Sequence, residues 1–125
     1  VDVRIVVPHI PDKKMIFWIT RSNYFDLISA GVKIYEFTPG FIHSKFILSD
    51  DDLAIIGTIN FDYRSLVHHF ECACLLYNAK CYKDMYDDFL NIINVSQLIS
   101  LEESKKVNRG RRLLVSIIQF FSPLL

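Results

Sequence analysis

Residues 41–60 read Phe41-Ile42-His43-Ser44-Lys45-Phe46-Ile47-Leu48-Ser49-Asp50-Asp51-Asp52-Leu53-Ala54-Ile55-Ile56-Gly57-Thr58-Ile59-Asn60. Two apolar runs, 41–50 and 53–60, flank Asp51-Asp52, and that separation predicts two antiparallel strands closed by a two-residue turn. On that register Asp50 faces Leu53, His43 faces Asn60 and Lys45 faces Thr58. Directly paired residues project to one side of a sheet, so His43, Lys45, Thr58 and Asn60 are expected to emerge together. Asp50 falls on the other face with Phe46 and Leu48, which gives its carboxylate a structural task at the turn. A bulge in either strand would undo the assignment.

Upstream, Val3-Arg4-Ile5-Val6-Val7-Pro8 is β-branched and alternating, and reads as a strand that Pro8 ends. From about Lys14 the positions Phe17, Trp18, Tyr24, Phe25, Leu27 and Ile28 suit one helix closed at Gly31, and residues 32–37 alternate again. Strand, helix and strand in so short a span make a βαβ unit with parallel pairing. Downstream, residues 70–77 read as a further strand. Residues 79–93 read as a helix, with Tyr82, Met85, Tyr86, Phe89, Ile92 and Ile93 at helical spacing. The class expected is therefore α/β, a mixed sheet flanked by helices.

The chain has 125 residues, 51% of them hydrophobic and 22% charged, enough for one core but hardly two. It opens on Val1 rather than Met, and is read as a piece of something longer. The net charge of zero conceals a division at about residue 104. Lys105, Lys106, Arg109, Arg111 and Arg112 stand in a tail without acids, leaving nine basic against fourteen acidic residues before it, a formal −5. A body of that sign is ill suited to nucleic acid, which is not an expected partner. The three cysteines, Cys72, Cys74 and Cys81, fit reduced, buried thiols better than a disulfide framework. Their spacing with His68 and His69 matches no zinc pattern, and no metal or cofactor is expected. No apolar run reaches the roughly 18 residues of a membrane span.

An imidazole, an ammonium, a hydroxyl and a carboxamide on one face suit a phosphate. A lysine ammonium about 4 Å from a phosphate oxygen contributes roughly 4 kcal/mol at an effective dielectric near 20, where a transition state carries charge on those oxygens. His-x-Lys-x4-Asp-x6-Gly-[Ser/Thr]-x-Asn, here His43, Lys45, Asp50, Gly57, Thr58 and Asn60, resembles the signature of the phospholipase D superfamily. The flanking stretches Thr20-Arg21-Ser22, residues 30–36, residues 39–43 and Asn60-Phe61-Asp62-Tyr63-Arg64-Ser65 resemble the C-terminal half of bacterial cardiolipin synthases, a likeness that runs to the closing residues 122–125.

The resemblance implies one half of a phospholipase D-like fold, whose active site pairs two such motifs across a pseudo-twofold axis. One histidine attacks the phosphodiester to form a phosphohistidine, and the other protonates the leaving alcohol and deprotonates the incoming one. None of His9, His68 and His69 is followed two residues later by Lys, so this chain carries one motif. By likeness to the second half, His43 is the acid and base; in a homodimer it could take either role. Lys45, Thr58 and Asn60 would bind the phosphate, and Asp50 stands at the motif's catalytic aspartate. Glu71 is expected to hold the idle imidazole nitrogen of His43, fixing its tautomer.

The implied activity is a phosphatidyltransferase that makes cardiolipin and glycerol from two phosphatidylglycerol molecules. Its partners would be an anionic membrane surface of the bacterial cell and the N-terminal half or a second subunit. The alternatives are a phospholipase or nuclease with the same motif, and a non-catalytic half that docks to a membrane. Asp62 and Arg64 read as a loop ion pair, with Arg64 also suited to a headgroup; Tyr35, Phe37 and Phe41 suit a core or an acyl channel. Residues 1–104 would form the catalytic half. Residues 105–125, a basic collar before Leu113–Phe121, would form a helix lying on anionic lipid or one packed on the other half.

Overall fold

The computed structural model describes residues 1–11 and 13–105. In chain order the elements are β1 (Arg4–Pro8), α1 (Lys14–Ser22), α2 (Tyr24–Ser29), β2 (Lys33–Phe37), β3 (Phe46–Ser49), β4 (Leu53–Gly57), a π-helical turn (Arg64–His68), β5 (Ala73–Tyr77), α3 (Tyr82–Asn94), β6 (Ser96–Leu98) and α4 (Leu101–Lys105). The α/β class is the one expected, and the chain divides into two compact units. One holds residues 1–42 and the described residues from Ile93 onward, the other His43–Ile92. The tail expected at 105–125 lies, apart from Lys105, outside the described residues.

The first unit is built on a mixed sheet of order β1-β2-β6. β1 and β2 pair in parallel from Arg4↔Lys33 to Pro8↔Phe37, the βαβ arrangement that the alternating runs predict. β6 adds an antiparallel strand through Tyr35↔Leu98 and Phe37↔Ser96, and at three residues it is too short to leave a periodic signal. Tyr24, Ile34 and Ile99 form the core, with Val7, Ile28 and Val32 packed around them.

The single helix expected from Lys14 to Gly31 is instead two, separated at Asn23. Three polar side chains turn back on the helix: Thr20 Oγ1 donates to the Ile16 carbonyl at 3.0 Å, Ser22 Oγ to that of Ile19 at 2.6 Å, and Asn23 Nδ2 to the same oxygen at 3.3 Å. Such bonds compete with the backbone ladder and end it. Gly31, at φ +94°, then closes α2 in the left-handed conformation open to glycine.

Glu36 projects from β2 into this unit and is fully buried. Its Oε1 accepts from Arg21 Nε at 2.7 Å and from the Tyr24 hydroxyl at 3.1 Å, and its Oε2 from Arg21 Nη2 at 2.6 Å. His9 Nδ1 lies 2.7 Å from Oε2. A carboxylate can only accept there, so Nδ1 carries the proton. Burial alone pushes the Glu36 carboxyl up, but Arg21 and then His9 outweigh it and hold the group below its ordinary value. Burial, followed by the charge of Glu36, pushes the Tyr24 phenol well above its own.

The second unit carries an antiparallel sheet of order β3-β4-β5. The β3–β4 register is Phe46↔Ile56, Ile47↔Ile55, Leu48↔Ala54 and Ser49↔Leu53, one residue away from the expected one. The turn takes three residues, 50–52, because Asp50 adopts the left-handed conformation at φ +54°. β5 pairs with β4 from Leu53↔Tyr77 to Gly57↔Ala73, and starts at Ala73 rather than at residue 70. Phe46 meets Phe89 of α3 edge to face, with ring centroids 6.2 Å apart. Cys72, Cys74 and Cys81 are free thiols as expected, but exposed rather than buried. Cys72 immediately precedes the edge strand β5 and Cys74 lies on it, and neither is covered by the described residues.

Candidate active site

All the motif residues lie in the second unit. β3 is shorter than the run 41–50 suggests, so His43 sits on the approach to the strand, exposed, and Lys45 is the last residue before it. The Gly57 amide donates to the Lys45 carbonyl at 3.2 Å, extending the ladder by one bond, so Lys45 faces Gly57 and not Thr58. The one-residue shift therefore removes the simple argument that alternation brings His43, Lys45, Thr58 and Asn60 to one face. Lys45 Nζ donates to the His43 carbonyl at 2.7 Å, which ties the ammonium to the backbone of the motif histidine.

What gathers the polar groups is Glu71. Thr58 Oγ1 donates to Glu71 Oε2 at 2.5 Å and accepts from the Cys72 amide at 3.1 Å, while the Thr58 amide donates to the Cys72 carbonyl at 2.9 Å. The approach is close because position 57 is glycine: a Cβ there would stand 2.2 Å from the Cys72 carbonyl oxygen and 2.7 Å from Ala73 Cα. The hydrogen bond from Thr58 is the largest cause holding the Glu71 carboxyl below its ordinary value, followed by Ser65 and by the charges of His69 and Lys45. Thr58, Lys45 and Glu71 thus share one neighbourhood, reached through β5 rather than through hairpin pairing.

Asn60 joins it through the next loop. Its Nδ2 donates to Ser65 Oγ at 3.4 Å, Ser65 is buried, and the Ser65 amide donates to Asp62 Oδ1 at 2.7 Å. Asp62 accordingly serves the start of the π-helical turn, three residues ahead of the amide it satisfies. Arg64 Nε donates to His69 Nε2 at 3.2 Å. His69 Nδ1 lies 3.9 Å from Glu71 Oε1. In the sequence Ser65 stands out only as part of the stretch 60–65 and His69 only beside His68 and the cysteines, yet both belong to the cluster; the spacing Asp62-x-x-Ser65, an acceptor three residues before an amide, is the signal that points to the first.

Asp50 is not brought to this cluster. It occupies the left-handed turn at the far end of β3 from Lys45, exposed, with Ser49 Oγ donating to its Oδ2 at 3.3 Å. A strand of that length keeps the two about 15 Å apart. Among the described residues no three His, Cys, Asp or Glu side chains group closely enough to hold a metal ion.

The family model described as "Cardiolipin synthase, PLD-like domain" matches residues 1–93. The chain belongs to this phospholipase D-like family. It is 40% identical over 125 residues to a protein named cardiolipin synthase 2 of Bacillus anthracis, covering all of this chain and 24% of that one. It is 41% identical over 125 residues to a cardiolipin synthase of Halalkalibacterium halodurans, covering all of this chain and 25% of the relative. An uncharacterized protein of Streptococcus mutans is 44% identical over 125 residues, covering all of this chain and 27% of its own length. The chain thus spans about a quarter of the curated relatives it matches. No solved structure matches it. Among the described residues, no helix is long and apolar enough to cross a membrane.

Proposed function

We propose that this phospholipase D-like chain supplies the second catalytic motif of a phosphatidyltransferase that converts two phosphatidylglycerol molecules into cardiolipin and glycerol. The observation that carries the reading is the complete motif, from His43 through Asn60, in a chain whose relatives bear the name cardiolipin synthase. A histidine of the other half, or of a second subunit, attacks the phosphorus of the first lipid and forms a P–N bond. The bond from phosphorus to the glycerol oxygen breaks, and His43 gives that oxygen its proton. His43 then takes the proton of a headgroup hydroxyl on the second lipid, whose oxygen displaces the histidine nitrogen from phosphorus.

Lys45, Thr58 and Asn60 stabilise the phosphoryl oxygens in this scheme, and Glu71 fixes the tautomer of His43. The neighbourhood that Thr58, Lys45 and Glu71 share supports the electrostatic part of it. Asp50, at the remote turn, acts on the hairpin and not on substrate. Residues 1–104 form the catalytic half, and 105–125 a basic apolar tail toward anionic lipid at the bacterial cell membrane. The test is phosphatidyl transfer by the intact enzyme. His43→Ala is expected to abolish cardiolipin formation, and Lys45→Ala and Asn60→Ala to cut it severely with the fold intact. Substantial transfer by the His43 variant, or hydrolysis of oligonucleotides in place of lipid transfer by the unmodified enzyme, overturns the proposal.

A further inference from the structure

Helix α1 has the composition of a core element, with Met15, Ile16, Phe17, Trp18 and Ile19 in succession, yet none of its residues is buried. Its exposed apolar surface is concentrated at one end: Ile10 before the helix is 48% exposed, Met15 45% and Ile16 46%. The following residues, Phe17 to Ser22, are half-buried.

The charges at that end run against the helix. Lys13 stands at the N-cap without a side-chain capping bond and Lys14 opens the first turn, which holds no acid. Cations at a helix N-terminus oppose its dipole, so the local sequence is unfavourable there unless an outside anion offsets it. Residues 10–22 contain one acid, Asp12, against Lys13, Lys14 and Arg21, and Arg21 is committed to Glu36. Apolar side chains beside a local excess of basic residues match the two components of interfacial membrane binding, insertion and attraction to anionic headgroups.

The anchoring of the segment fits such a role. His9 and Arg21, on either side of it, both bond to the buried Glu36, and the His9 amide donates to the Phe37 carbonyl at 3.1 Å. The residues on both sides of the exposed stretch are thus tied to β2.

We propose that Ile10, Lys13, Lys14, Met15 and Ile16 form a docking surface for an anionic lipid bilayer, with the two apolar residues of α1 entering the headgroup region. The proposal rests on the lipid-substrate reading only for the choice of phosphatidylglycerol as probe. Trp18, the one tryptophan of the chain, lies on this helix and reports its environment directly. On addition of phosphatidylglycerol vesicles to the full 125-residue chain, Trp18 emission moves to the blue and is quenched by brominated acyl chains. Phosphatidylcholine vesicles leave it unchanged.

Lys13→Gln/Lys14→Gln weakens binding to the anionic vesicles about twenty-five-fold, each lysine contributing about fivefold. Met15→Ser/Ile16→Ser abolishes the quenching, with circular dichroism verifying that helix content is retained. Sedimentation with vesicles but no Trp18 quenching would assign binding to another part of the chain and overturn the proposal. A blue shift that depends on protein concentration in the absence of vesicles would assign the surface to a second copy, with the same result. In the intact enzyme, turnover of a short-chain, water-soluble phosphatidylglycerol is expected to be unchanged in both double variants. Failure of phosphatidyl transfer in the unmodified enzyme would refute the proposed reaction and leave the vesicle result standing.

Discussion

Replacing Glu36 with Gln tests how far one buried carboxylate organises the first unit. The carboxylate is fully enclosed and receives two bonds from Arg21, one from His9 and one from Tyr24. A carboxamide keeps an acceptor at one oxygen position and sets a donor against donors at the other, so about two of these bonds are lost. Hydrogen bonds to charged groups contribute roughly 1.5–3 kcal/mol each, an upper limit here because the Arg21 and His9 side chains, 40% and 45% exposed, can turn toward water. The expected loss is about 3 kcal/mol, or roughly 10 °C in melting temperature for a chain of this size. Trp18 fluorescence during thermal and urea denaturation follows this unit specifically.

The pH dependence supplies a second readout. The folded-state pKa of Glu36 is depressed, so its contribution is complete above its ordinary value of 4.5 and is lost as the pH falls through the lower folded value. Unmodified protein therefore loses stability on acidification below about pH 5, and the Gln variant lacks that component. A Gln variant that melts within about 2 °C of the parent and keeps the same acid profile would refute the argument that this cluster stabilises the unit.

Two further outcomes are expected. Gly57→Ala would set a methyl group against the backbone of residues 72 and 73, at a cost of about 1–3 kcal/mol, and faster hydrogen exchange at the Thr58 and Cys72 amides is the measurement; unchanged protection would show that β4 and β5 have room to spare. Thr58→Val removes the largest cause of the depressed Glu71 carboxyl, which should then titrate closer to its ordinary value when followed by carbon NMR of the side chain; an unmoved titration would mean that other neighbours set it.

The parallel β1–β2 pair was legible from alternation in both strands, and the existence of the hairpin from two apolar runs separated by Asp51-Asp52. The hairpin register was not. Three successive aspartates mark a turn without saying which of them takes the left-handed conformation, and that choice at Asp50 moves every pair by one. The division of the long helix escaped for a similar reason: Thr20, Ser22 and Asn23 break it by side-chain bonds to carbonyls, a preference that a count of apolar positions does not see. At the candidate site the motif names were readable, while their meeting point was not. Glu71 collects Thr58 through a strand-to-strand approach at Gly57, and Ser65 is reached only through a loop whose turn Asp62 begins.

The shared attachment of His9 and Arg21 to one carboxylate gives the first unit a modular character. Because both ties reach one carboxylate on β2, the two ends of the stretch are held at a single point of the sheet. The exposed residues within it, Ile10 and residues 13–16, can be exchanged by graft or by evolution without redesigning the strands beneath, provided that Glu36, its two clasps and the half-buried residues 17–19 are kept.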